Sequence, residues 1–119
     1  MTNHKILGGY GEQLAADYLK RHDYKIIAKN YRIGRFEFDL ISTKPGQIIF
    51  WEIKTRNKAT DFFRDTLITK QQISNLRKGI SAYCAKNRIN LDAAHLDMLV
   101  ILINQSTKLV RFKHYQDIL

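Results

Sequence analysis

Asp39 and, thirteen residues later, Glu52-Ile53-Lys54 each close a short run of hydrophobic, β-branched or aromatic residues. The first run is Arg35-Phe36-Glu37-Phe38-Asp39-Leu40-Ile41. The second is Gln47-Ile48-Ile49-Phe50-Trp51-Glu52-Ile53-Lys54, and Lys44-Pro45-Gly46 supplies the turn between them. Alternate side chains of a strand share a face, so Glu52 and Lys54 point the same way and Trp51 points the other way, into packing. A hairpin brings Asp39 beside Glu52. Two carboxylates with an ammonium next to them form the minimal set for magnesium-dependent phosphodiester hydrolysis. The plain alternative is a solvated Glu52–Lys54 ion pair worth about 0–1 kcal/mol.

The elements that must position this set are legible from periodicity. Residues from about 4 to 22 predict a helix, with Leu7, Leu14, Ala15, Tyr18 and Leu19 recurring at three- and four-residue spacing. Glu12 borders its inward stripe, and Gly8, Gly9 and Gly11 allow close approach of another element. Tyr24–Ala28 reads as a first strand, followed by the two strands of the hairpin. Thr69 and Gln72 form a capping box ahead of a second helix, with Ile68 as a staple for Ile73. Its stripe of Ile73, Leu76, Ile80, Tyr83 and Cys84 ends near Asn87. Lys70 lies at the start of that stripe, where its ammonium and the free N–H groups of the helix favour anions. His95–Ile103 is a near-continuous apolar strand, expected to be buried on both faces, with residues 108–112 as its edge neighbour. The order predicts an α/β sandwich around a mixed sheet.

Composition limits the function classes. At 119 residues the chain is expected to form one domain, residues 1–119. Its apolar share of 45% and charged share of 26% are those of an ordinary globular protein, and no apolar run reaches membrane-spanning length. No secretory signal is visible at the N-terminus, and the single cysteine excludes an intrachain disulfide; the expected location is cytoplasmic. Cys84 reads as a small core residue. The four histidines, His4, His22, His95 and His114, lack zinc-ligand spacing. A net charge of +9 and a pI near 9.8 point to a polyanionic partner, nucleic acid first, with simple solubility or RNA association as the alternatives.

Several runs extend the pattern. Gly11-Glu12, Ala15-Ala16, Tyr18-Leu19, Tyr24, Ile26-Ile27 and Asn30-Tyr31-Arg32 precede Glu37-x-Asp39-Leu40-Ile41. Phe50-Trp51-Glu52-Ile53-Lys54-Thr55-Arg56, Lys70 and Leu96-Asp97 follow. Across nearly the whole chain this resembles the YraN-like family of small uncharacterised bacterial proteins, similar to archaeal Holliday-junction resolvases within the PD-(D/E)XK nuclease superfamily. The resemblance implies a restriction-endonuclease-like α-β-β-β-α-β sandwich with a central mixed sheet. It implies a metal-dependent endonuclease acting on DNA, selective for branched structures, with a homodimer by analogy.

On that resemblance Asp39 and Glu52 are the ligands of Mg2+ or Mn2+, with the Ile53 carbonyl as a third contributor. Lys54 orients water and stabilises the transition state, and Glu12 serves a second metal or a metal-bound water. Arg56 and Lys70 hold flanking phosphates. Glu37 is either a further ligand or the ion-pair partner of Arg35. Phe62 and Phe63 either stack on bases or cover the core. The competing reading is a non-catalytic nucleic-acid-binding or recruitment module.

Overall fold

The computed structural model describes residues 4–57 and 68–119, with the side chains of residues 4–8 left aside. Phe62 and Phe63 lie outside the described residues. Helix α1 spans His4–Arg21, and strands β1, β2 and β3 span Lys25–Ile33, Phe36–Lys44 and Gln47–Arg56. Helix α2 runs Lys70–Asn87, a 3-10 turn covers Leu91–Ala93, and β4 and β5 are Ala94–Ile103 and Val110–Tyr115. The five strands lie side by side in sequence order. Only β3 and β4 are parallel; the other three pairs are antiparallel. α2 is the crossover that a parallel pair requires.

The two helices cover opposite faces of the sheet. Ala15 and Leu19 of α1 pack with Leu40, Ile49, Trp51, Leu99, Ile101 and Ile103. Ile80, Tyr83 and Cys84 of α2 pack with Phe38, Ile41, Ile48, Phe50 and Leu96. Residues 96–101 of β4 are all buried, Asp97 included, as its near-continuous apolar run leads one to expect. Trp51 is fully buried on the α1 side, and its Nε1 donates to Ser42 Oγ at 2.7 Å. Cys84 is buried on the α2 side, and burial pushes its thiol pKa up.

The local signals act as expected at both turns. Pro45 and Gly46, the latter at φ +75°, close the hairpin between Lys44 and Gln47 in the Pro-Gly order that a type II turn requires. Thr69 accepts from the Gln72 N–H at 3.1 Å, and the Gln72 side chain accepts from the Thr69 N–H at 2.9 Å. Thr69→Ala is expected to cost about 1 kcal/mol in urea unfolding, and Thr69→Ser far less. Equal midpoints for wild type and the alanine variant would mean that the box contributes nothing.

Two strands differ from expectation. β1 continues to Ile33 rather than stopping at Ala28, because Asn30 adopts φ +48° and absorbs a kink without ending the pairing. The ladder runs Lys29–Leu40 and Tyr31–Phe38, and the intervening Asn30/Asp39 step falls out of it. Phe38 and Leu40 would share a face in a regular strand, yet Phe38 enters the α2 core and Leu40 the α1 core. The pleat therefore changes face at Asp39. β5 starts at Val110 rather than residue 108, because Lys108 at φ +63° closes the turn, and it continues through Tyr115.

Candidate active site

The carboxylates gather where two strands part. β2 and β3 pair only from Lys44–Gln47 to Leu40–Trp51. Beyond that point β3 continues alongside β4 as far as Arg56, while β2 stays with β1. The fork leaves the Ile53 N–H without a β2 carbonyl, and Asp39 Oδ2 accepts it at 2.8 Å. One side-chain oxygen thus completes the sheet.

Glu52 and Lys54 share a face as predicted, with Lys54 Nζ 3.3 Å from Glu52 Oε1. Their side chains are only 22% and 19% exposed, so this is not the solvated pair of the plain alternative. Burial pushes the Asp39 carboxyl from 3.8 up to about 7, and the neighbouring Glu52 carboxylate adds to the effect. Glu12 acts in the same direction more weakly, whereas the Ile53 N–H and the Lys54 ammonium oppose it. Among the described residues, Asp39, Glu52 and Glu12 thus crowd negative charge around the one ammonium of Lys54, an arrangement that favours a further cation.

Gly11 sets the reach of Glu12. A Cβ at Gly11 would stand 2.1 Å from Thr55 Oγ1, so the absence of a side chain there lets α1 lie against β3 beside Lys54. Asn30, to which the sequence assigned no role, donates from Nδ2 to Glu12 Oε2 at 3.3 Å. Asparagine tolerates the left-handed backbone that the kink imposes, and from there it reaches α1. Asn30→Ala is expected to lose about 1 kcal/mol in urea unfolding and Asn30→Gly clearly less, since glycine accepts positive φ. Equal losses would mean that backbone conformation is not the reason for asparagine there.

The remaining predicted residues fall around this set. Ile53 contributes its N–H, to Asp39, as its observed interaction. Arg56 ends β3, with Nη1 donating to the Thr55 carbonyl at 3.0 Å. Lys70 opens α2 and is exposed. Glu37 does not pair with Arg35: it faces Arg32 across the β1–β2 ladder, and their side chains meet at 3.3 Å. The Arg35 guanidinium instead lies 5.4 Å above the Phe36 ring centroid.

The donor set fits a hard divalent cation. Among the described residues no three His, Cys, Asp or Glu side chains form a cage able to hold a metal ion. Asp39 and Glu52 offer carboxylate oxygens, the donor type of a hard cation, and magnesium accepts sparse protein ligation.

A second polar cluster lies away from the fork, and spacing gave no hint of it. His114 Nε2 donates to buried Asp97 at 2.7 Å, and Asp97 accepts the Asp117 N–H at 3.0 Å. His95 contacts Asp117, and the Ile118 N–H donates to the Leu96 carbonyl at 2.8 Å. These bonds pin the C-terminal segment to β4.

No helix among the described residues is long and apolar enough to cross a membrane. The chain is 42% identical to a UPF0102 protein of Bacteroides fragilis over 73 residues, 61% of this chain and 60% of that relative's length. The chain thus spans less than two thirds of that relative. A UPF0102 protein of Trichlorobacter lovleyi is 30% identical over 105 residues, covering 87% of this chain and 83% of the relative. One of Christiangramia forsetii is 29% identical over 117 residues, covering 98% and 96%. The family described as Uncharacterised protein family UPF0102 matches residues 11–103, a stretch that contains Glu12, Asp39, Glu52 and Lys54, and this agrees with the likeness to small uncharacterised YraN-like proteins. The chain belongs to this uncharacterised family.

Proposed function

We propose that the protein is a divalent-metal-dependent endonuclease that hydrolyses phosphodiester bonds in DNA. One observation carries the reading: Asp39, anchored by the Ile53 N–H, stands at the fork of β2 and β3 within electrostatic reach of Glu52, Lys54 and Glu12. Asp39 and Glu52 would hold Mg2+ or Mn2+. Once bound, that cation would neutralise charge on the scissile phosphate and make a water more acidic.

The chain's own groups divide the remaining work. Lys54, freed from Glu52 when the carboxylate turns to the cation, would donate hydrogen bonds to the phosphate oxygens as negative charge grows on them. Glu12, held by Asn30, would take the water proton or support a second cation. Partial burial of the site strengthens each of these interactions over its value in water. Arg56 and Lys70, with the net charge of +9, would hold the flanking phosphates. A homodimer acting on a two-fold branched substrate belongs to the same proposal.

The test is incubation with branched, flapped and single-stranded DNA in magnesium or manganese, comparing wild type with Asp39→Ala and Glu52→Ala. Cleavage by wild type alone supports the reading. Equal cleavage by all three assigns the activity to a contaminant. Binding without cleavage under every condition favours a recruitment module instead.

A further inference from the structure

A cleft of about 400 Å³ opens between the start of β2 and the first turns of α2, lined by Arg35, Phe36, Glu37, Gln71, Asn75 and Leu76. Phe36 lies on the α2 side of the sheet: a Cβ added at Gly79 of α2 would approach its side chain to 2.8 Å. The Arg35 guanidinium lies over the Phe36 ring, 5.4 Å from its centroid and within cation–π range, so one wall is a planar cation backed by an aromatic ring. Gln71 and Asn75, one turn apart on α2, form the other wall. The Gln71 Nε2 donates to Asn75 Oδ1 at 3.2 Å, which orients the two amides. That bond leaves Gln71 Oε1 as an acceptor and Asn75 Nδ2 as a donor, side by side. Leu76 adds an apolar surface.

We infer that this cleft receives one unpaired nucleobase of the bound strand, stacked on the Arg35 guanidinium that Phe36 backs and hydrogen-bonded along its edge by Gln71 and Asn75. The inference rests on the nucleic-acid partner of the proposed function and deepens it. The chemistry favours a base over a phosphate. Among the described residues that line the cleft Arg35 is the only cation, and Glu37 brings a carboxylate to the same wall. That carboxylate is paired with Arg32 at 3.3 Å, so it does not repel a nearby polyanion strongly. Stacking on aromatic and guanidinium planes with amide contacts to base edges is the general means of holding an unstacked base. The amide pair, donor beside acceptor, complements a base edge that carries an acceptor beside a donor, as adenine's does.

Position along the chain agrees. Phe36 precedes Asp39 by three residues on one strand, which separates them by about 10 Å. A base in the cleft would therefore sit close to the phosphate at the fork. A paired base has its edge occupied, so the cleft selects single-stranded, flapped or junction-exposed nucleotides.

The test is fluorescence anisotropy in EDTA, with a labelled oligodeoxyadenylate and an abasic chain of equal length as probes. Wild type is expected to bind the base-bearing chain roughly tenfold more tightly. The double variant Gln71→Ala/Asn75→Ala is expected to reduce that preference to within about twofold. Alanine is the better helix former at both positions, so the variant keeps its fold. Equal affinity of wild type for the two chains would overturn the inference, as would a preference that survives in the double variant. Because no divalent cation is present, a protein that never cleaves can still show the preference. Cleavage without the preference would sink the cleft and leave the catalytic proposal intact.

Discussion

Asp39→Asn is expected to abolish cleavage and, without divalent cations, to make the fold more stable at alkaline pH. Asparagine keeps an oxygen to accept the Ile53 N–H but cannot bind a cation as a carboxylate does. Loss of an electrostatic contributor of this kind costs on the order of 10²–10³-fold or more in rate. The stability change follows from proton linkage. The folded carboxyl titrates near 7 against 3.8 for the free group, so the folded state binds the proton more tightly than the unfolded chain. The resulting stabilisation is fully present below the unfolded value and is lost as pH rises through about 7. At pH 8 the ionised carboxylate therefore penalises the wild-type fold by roughly 2–4 kcal/mol, and Asp39→Asn removes that penalty. Urea unfolding between pH 4 and pH 8 checks the sign. Wild type should weaken relative to the variant across this window, and magnesium at pH 8 should restore wild type alone. A variant that is less stable than wild type at pH 8 would show that the carboxylate is not strained.

Gly11→Ala is expected to destabilise the protein by roughly 2–3 kcal/mol, against its helix propensity. Inside an exposed helix the same change would stabilise by up to about 1 kcal/mol. Gly11 is buried, and a new methyl group would stand 2.1 Å from Thr55 Oγ1 and 3.1 Å from Thr55 Cβ. Rotation of Thr55 can move Oγ1 aside, but its Cβ stays 3.1 Å from the new methyl group, so the backbone must still give. The helix would have to lift off β3, taking Glu12 away from Asp39. Thr55→Ala in the same chain should recover most of the loss, a coupling that a double-mutant cycle in urea measures directly. Additive effects would show that the two positions do not touch.

The residues that declare themselves in sequence do so through local physics. Thr69 and Gln72 mark a helix start because two orphan N–H groups need two side-chain acceptors three residues apart. Lys44-Pro45-Gly46 marks a turn because proline and glycine supply its two dihedral requirements. Asp39 and Glu52 could be placed together because the hairpin fixes the register between them. The kink at Asn30 was not legible, since asparagine in a strand reads equally as a turn, and the face change at Asp39 depends on it. The Arg32 partner of Glu37 depended on extending β1 through that kink. The pairing of His114 with Asp97 joins residues seventeen apart on neighbouring strands, and neither residue type carries a periodic signal.

Asp39 and Glu52 are expected to hold one divalent cation between them, which a titration with manganese checks. Electron paramagnetic resonance of free Mn2+ at pH 8 should report one ion bound per wild-type chain, with binding lost in both Asp39→Asn and Glu52→Gln. Wild type that leaves all the manganese free, or variants that bind it as wild type does, would contradict the account.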